Sequence, residues 1–311
     1  MTLQQLAYFV AVADVRSFTR AAERVGVAQP TLSRQLKALE DELGAPLVNR
    51  DKAVTLTPAG EVVLPFARRM LADSDSARAA VAEIVGLSRG LLRVGATPSL
   101  CIGVLADVLR VFHEQRPGIH VRLSENGSQL LVRALLGGEL DVALVIVPPA
   151  GLDPALQVTP LLRERLSVAS PRSDRPPSSR GSISIPELAR RQLVMFREGY
   201  DLREVTLRAY QNANVEPRFA VEGGEMDAVL RLVEAGTGVA VVPDLVFIGR
   251  PRLRRTVLTP ALYRTVALAR RADLTPPHAT QAFTETLLSF IGDTTATGGL
   301  AAADVQVLHR W

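Results

Sequence analysis

Gly26 and Pro30 constrain this 311-residue chain most, because the first stops a helix and the second starts one. Ahead of them, Ser17 or Thr19 can cap a short helix containing Ala21, Ala22 and Val25. Behind them, Leu32, Leu36, Leu39 and Leu43 recur at helical spacing until Gly44. Val27, Ala28 and Gln29 leave room only for a tight turn, so residues 17–44 read as a helix-turn-helix. A preceding helix is marked by the Thr2/Gln5 capping box and by Leu3, Leu6, Val10 and Ala13, flanked by Phe9. With the leucines inward, Thr31, Ser33, Arg34 and Lys37 share the outer face near the helix start, where such side chains can reach base edges in a major groove. The same residues also fit an ordinary three-helix bundle with a solvated face. Periodicity alone does not choose.

A small ribbon follows, Leu47 to Arg50 and Ala53 to Leu56, with its turn at Asp51 and Lys52. Thr57 and Pro58 then cap and open a helix reaching about Leu87. On it, Val63, Phe66, Met70, Asp73, Ala77, Ala80, Ile84 and Leu87 alternate steps of three and four, a heptad seam that calls for a partner and predicts self-association. From Leu91 strands and helices alternate. The strands are Leu91–Gly95, His120–Ser124, Val142–Val147, Leu193–Phe196, Phe219–Val221, Val239–Val242 and Tyr263–Ala269. The helices are Leu100–His113, Ser128–Leu136, Leu202–Ala213, Met226–Ala235 and Thr280–Ile291. That alternation predicts a parallel sheet flanked by helices, in two rounds that can form two lobes. Ser170 to Ser182 has nothing to bury, and residues 292–311 read as a loose, disordered tail.

Charge and composition narrow the function. Net charge is only +4, from 36 basic and 32 acidic residues, and residues 1–57 hold seven basic against six acidic, so bulk attraction to a polyanion is weak. One cysteine, Cys101, excludes an internal disulfide, and His113, His120, His278 and His309 lack metal-ligand spacing. With neither a secretory signal nor a run of 18 apolar residues, the chain reads as cytoplasmic, without membrane, metal or cofactor. Gly236-Thr237-Gly238 follows a helix and precedes a strand, the reverse of a dinucleotide loop, and no nucleophile elbow or carboxylate pair stands out. No catalytic residue is expected. Ser99 and Ser128, each at a helix start just after a strand, can line a site for a small polar or anionic ligand. They can equally be plain helix caps.

FTRAAERVGVAQPTLSRQLKALEDELGAPL (Phe18 to Leu47) and NRDKAVTLTPAG (Asn49 to Gly60) closely resemble the amino-terminal domain of LysR-type transcriptional regulators. LLRVGATPSL (Leu91 to Leu100), GELDVAL (Gly138 to Leu144) and EAGTGVAVVP (Glu234 to Pro243) are similar to that family's effector-domain landmarks. The resemblance implies an all-α winged helix-turn-helix over 1–57 and a linker helix over 58–88. It then implies an α/β two-lobed, periplasmic-binding-protein-like effector domain over 90–291, with lobe one at 90–162 and 265–291 and lobe two at 163–264. Gln29, Pro30, Thr31, Ser33, Arg34 and Lys37 match the family's groove-facing residues, and Arg50 a wing arginine that enters the minor groove. Val48 departs from the family's usual Phe. Ser99, Leu100, Ser128, Val147 and Phe196 match positions lining the inducer pocket, where Arg197 can pair with a carboxylate. The implied partners are double-stranded DNA with an inverted-repeat operator, a small effector, RNA polymerase, and other copies of the chain as dimer or tetramer. The rival expectation is a solute-binding or enzymatic α/β protein whose first bundle merely oligomerises. The missing export signal and catalytic groups argue against it.

Overall fold

The computed structural model describes residues 1–50, 54–84, 90–296 and 305–308. The chain falls into two compact units, Met1–Ser88 with Ala134–Leu140, and Arg89–Arg133 with Asp141–Trp311.

In the first unit, α1 (Leu3–Val15) opens on the expected capping box: Thr2 Oγ1 accepts from the Gln5 amide and the Gln5 side chain from the Thr2 amide. Ser17 caps α2 (Phe18–Val25), which stops at left-handed Gly26. Helix α3 (Gln29–Leu43) begins one residue before Pro30 and ends at left-handed Gly44. Strands β1 (Val48–Asn49) and β2 (Thr55–Leu56) pair antiparallel, and α4 spans Pro58–Ile84. The expected turn at Asp51 and Lys52 and the last helical turn to Leu87 lie outside the described residues. The core joins Leu6, Phe9 and Val12 to Ala21, Ala22, Leu32, Leu36, Leu39 and Leu47. Two stripes are corrected. Leu43 is 40% exposed, because α3 outruns the bundle, and α1 buries Gln5, Leu6, Tyr8, Phe9, Ala11 and Val12 while Leu3 faces out. Val48 is buried, filling the place of the larger residue. The heptad seam is also redrawn: Val63 packs on its own unit with Leu64 and Leu71, whereas Val62, Phe66 and Met70 are exposed.

The second unit continues with β3 (Leu91–Ala96), α5 (Pro98–Leu100), α6 (Ala106–Gln115), β4 (His120–Glu125), α7 (Ser128–Leu136) and β5 (Val142–Val147). Next come β6 (Leu156–Pro171), β7 (Ser182–Ser184), α8 (Ile185–Leu188), β8 (Gln192–Phe196), α9 (Asp201–Asn212), β9 (Arg218–Gly224), α10 (Met226–Glu234) and β10 (Ala240–Pro243). The last elements are β11 (Leu253–Arg271), α11 (His278–Ala296) and β12 (Val305–Val307). Strands β3, β4 and β5 are parallel as expected, and so are β8 and β9. The sheet as a whole is mixed, in the order β10-β6-β11-β5-β3-β4, since β6 and β11 run antiparallel along most of their length. One lobe packs around Val94, Phe112, Leu144, Leu268 and Phe283, the other around Phe196, Tyr210, Leu230 and Val241, and β6 and β11 contribute residues to both. The helix expected over Leu100–His113 is interrupted by a π turn at Cys101–Leu105, where a side chain on Gly103 would crowd Leu245. The tail is corrected as well. Helix α11 continues to Ala296, and β12 pairs with Leu162–Glu164 of β6, its Val305 and Val307 packing on the core.

Candidate functional site

Helix α3 keeps its leucines inward, which turns Gln29, Pro30, Arg34 and Lys37 fully outward and leaves Thr31 and Ser33 half-buried beside them. No side chain caps the helix start, so the positive end of its dipole is open to an anion. Lys37 forms an exposed pair with Asp41 at 2.7 Å. Arg34 makes no ion pair or side-chain hydrogen bond among the described residues. Arg50 is placed differently from its expected role. It lies over the Phe18 ring at 5.2 Å and donates to Glu40 Oε2 at 2.9 Å. The other Glu40 oxygen accepts the amides of Leu47 and Val48, so one buried carboxylate ties the ribbon to α3.

In the second unit, Ser128 joins the lobes. Its Oγ donates to Asp201 Oδ2 at 2.8 Å and accepts from the Ile146 amide at 2.9 Å, and its own amide reaches Asp201 at 3.2 Å. Beside it the backbones of Gly127 and Gly199 meet so closely that a Cβ on Gly127 would sit 2.7 Å from the Gly199 carbonyl. Ser128 and Val147 also line a cleft of about 670 Å³ that further comprises Gln129, Arg163, Arg208 and Tyr263. The other expected ligand residues are outside it. Ser99 is fully buried near Thr97 Oγ1, and Leu100 is in the core of lobe one. Phe196 is in the core of lobe two, stacked on Tyr200 at 4.9 Å. Arg197 is paired with Glu225, donates to the Glu198 carbonyl and lies over the Tyr200 ring.

Where β6 and β11 cross between lobes, charge is buried. Glu164 accepts from Arg264 Nε at 2.9 Å and from the Leu245 amide at 2.8 Å, and Asp244 pairs with Arg255. Burial pushes the Glu164 carboxyl above the usual carboxylate range, against the pull of Arg264. Burial likewise raises the Tyr200 phenol, with Glu225 adding to it, and pushes the Cys101 thiol up to about 12 with help from Glu125. These groups are neutral at physiological pH. No cluster of three or more His, Cys, Asp or Glu able to hold a metal occurs among the described residues, and no helix there is long and apolar enough to cross a membrane.

Comparison with known proteins covers both units. Residues 3–61 match the bacterial regulatory helix-turn-helix protein family of lysR type, and residues 86–291 match the LysR substrate binding domain. A probable cat1 operon transcriptional activator of Acinetobacter lwoffii is 34% identical over 250 residues, 78% of this chain and 80% of its own. A probable nitrogen assimilation transcriptional activator of Synechococcus elongatus is 31% identical, with 89% of each chain covered. Among solved structures, a full-length OxyR variant from Pseudomonas aeruginosa superposes with a TM-score of 0.71 at 30% identity, over 92% of this chain and 94% of that one. CbnR in complex with its target DNA gives 0.66 at 28%, over 93% and 100%. These relatives regulate transcription and are not enzymes. Because both units carry one family's signature and the same order of parts, this protein is a member of the LysR family of bacterial transcriptional regulators.

Proposed function

We propose that this regulator binds an inverted-repeat operator as a dimer or tetramer through Gln29, Pro30, Thr31, Ser33, Arg34 and Lys37. In this reading Arg50 swings from Glu40 to the minor groove, and a small effector between the lobes adjusts how the assembly engages DNA and RNA polymerase. The observation that carries it is the outer edge of α3: an uncapped helix start and a free Arg34, on a helix whose other face is locked into the core. Such an edge fits a major groove, where arginine bonds guanine O6 and N7 together. The exposed Phe66 and Met70 of α4 support self-association through that helix. Ser128 and Val147 on the cleft wall, with Ser128 bridging to Asp201, support an effector that acts by changing lobe closure. It can do so only through unequal affinity for the open and closed forms. The test is a titration of the purified protein against its own upstream DNA at two salt concentrations. Sequence-selective binding that weakens as salt rises is expected. Equal affinity for scrambled DNA would contradict the reading.

A further inference from the structure

The cleft beside Ser128 has a composition that nothing in the sequence marked. Its walls are largely apolar, with Val132, Ile146, Leu152, Val205 and Leu262 among them. Into it project two guanidinium groups from different elements, Arg163 of β6 and Arg208 of α9. Arg163 is stacked over the Tyr263 ring at 4.4 Å, which fixes its plane while leaving its N–H edge open. Neither Arg163 nor Arg208 forms an ion pair or side-chain hydrogen bond among the described residues. The third arginine of the cleft, Arg264, is saturated by Glu164. On the acidic side, Asp201 is occupied by Ser128 and Asp153 Oδ1 accepts from the Ala155 amide, which leaves Glu204 without a partner among the described residues. Two open cations therefore face one open carboxylate, across a cavity of a size that suits a metabolite. Planar, doubly donating guanidinium edges match a carboxylate, and the apolar walls match a hydrocarbon body.

We infer that this cleft binds a small organic carboxylate with an apolar body, its carboxylate held by Arg163 and Arg208. The site rests on the reading that the two-lobed unit is the ligand-responsive part of the regulator. It differs from the expected one in relying on β6 and α9 instead of Ser99 and Arg197. Because Arg163 sits on a strand that contributes to both lobes and Arg208 on a helix of one of them, occupation would couple to lobe closure.

The test uses the full chain and calorimetric titration with acetate, butyrate, 4-methylpentanoate, benzoate and 3-phenylpropanoate, with leucine, and with 4-methylpentanamide and benzamide as uncharged counterparts. At least one acid larger than acetate should saturate a single site, and its amide should bind at least about tenfold more weakly. Arg163→Gln and Arg208→Gln should each weaken the acid about tenfold, as expected for losing one charged hydrogen-bond partner, while Arg122→Gln on the exposed edge strand β4 should not. If leucine binds more tightly than 4-methylpentanoate and loses that preference in Glu204→Gln, the carboxylate is an amino acid's. The reverse order assigns a plain acid, and both results uphold the site. Saturation by none of the acids would overturn it, as would binding that survives both cleft substitutions and is lost in Arg197→Gln. Binding of the same preparations to upstream DNA, measured in parallel, separates failure of this site from failure of the regulator reading.

Discussion

Glu164 is completely buried, and what makes its charge tolerable is Arg264, one hundred residues further along the chain. Replacing Arg264 with Met removes that partner and strands a carboxylate in a dry interface, so the variant should lose about 3–5 kcal/mol of unfolding free energy at neutral pH. The pH sign follows from the raised carboxyl. A group that holds its proton more tightly when folded stabilises below the ordinary carboxylate range and loses that contribution as pH rises through its folded pKa. The deficit of Arg264→Met in urea denaturation should therefore shrink in acid and grow towards neutrality, and a flat deficit would contradict the burial argument. Cys101 gives a second residue-scale prediction. With its thiol pushed up to about 12, alkylation by iodoacetamide near pH 8 should run on the order of a hundredfold slower than for a free cysteine peptide. Residue-scale legibility tracked distance along the chain. Ser128 was readable because a helix start after a strand is a local pattern, and Arg34 because an amphipathic helix has a local period. Arg163, Arg208 and Arg264 were not, since only the crossing of distant strands gives them meaning.

Among the elements, helix ends were the most legible: Ser17, Gly26, Gly44 and Pro58 all act at the boundaries their chemistry prescribes. Strands β6 and β11 were not, because Pro160, Arg163 and Glu164 break any alternation in the first, and β11 was visible only over Tyr263–Ala269. Such strands are held by pairing with each other, a non-local property. Strand β12 is three residues long, below what periodicity can register. Gly60 tests how α4 is seated. A Cβ there would fall 2.0 Å from the Leu47 carbonyl oxygen, in backbone that cannot rotate away. Gly60→Ala should cost about 1–3 kcal/mol in thermal denaturation of the full chain, although alanine favours helix elsewhere. An unchanged or raised melting temperature would show that the approach of α4 to Leu47 is slack.

For the whole molecule, near-balanced charge over residues 1–57 means that selectivity for DNA has to come from a shaped edge, with phosphate contact from helix starts and few excess cations. Self-association belongs to this scale too. Phe66 is 58% exposed and Met70 41%, and together they give α4 an apolar stripe facing away from its own core. A Phe66→Asp, Met70→Asp pair should shift sedimentation towards monomer while leaving far-ultraviolet dichroism unchanged, and an unaltered oligomer would place the interface elsewhere. The most direct measurement is competitive binding of the wild type and Arg34→Ala to the upstream operator and to a scrambled duplex at one fixed salt concentration. If the outer edge of α3 reads bases, Arg34→Ala should lose about 1–3 kcal/mol on the operator and much less on the scrambled DNA, narrowing the specificity ratio. An equal loss on both duplexes, or none on either, would contradict the claim that this edge carries the protein's recognition.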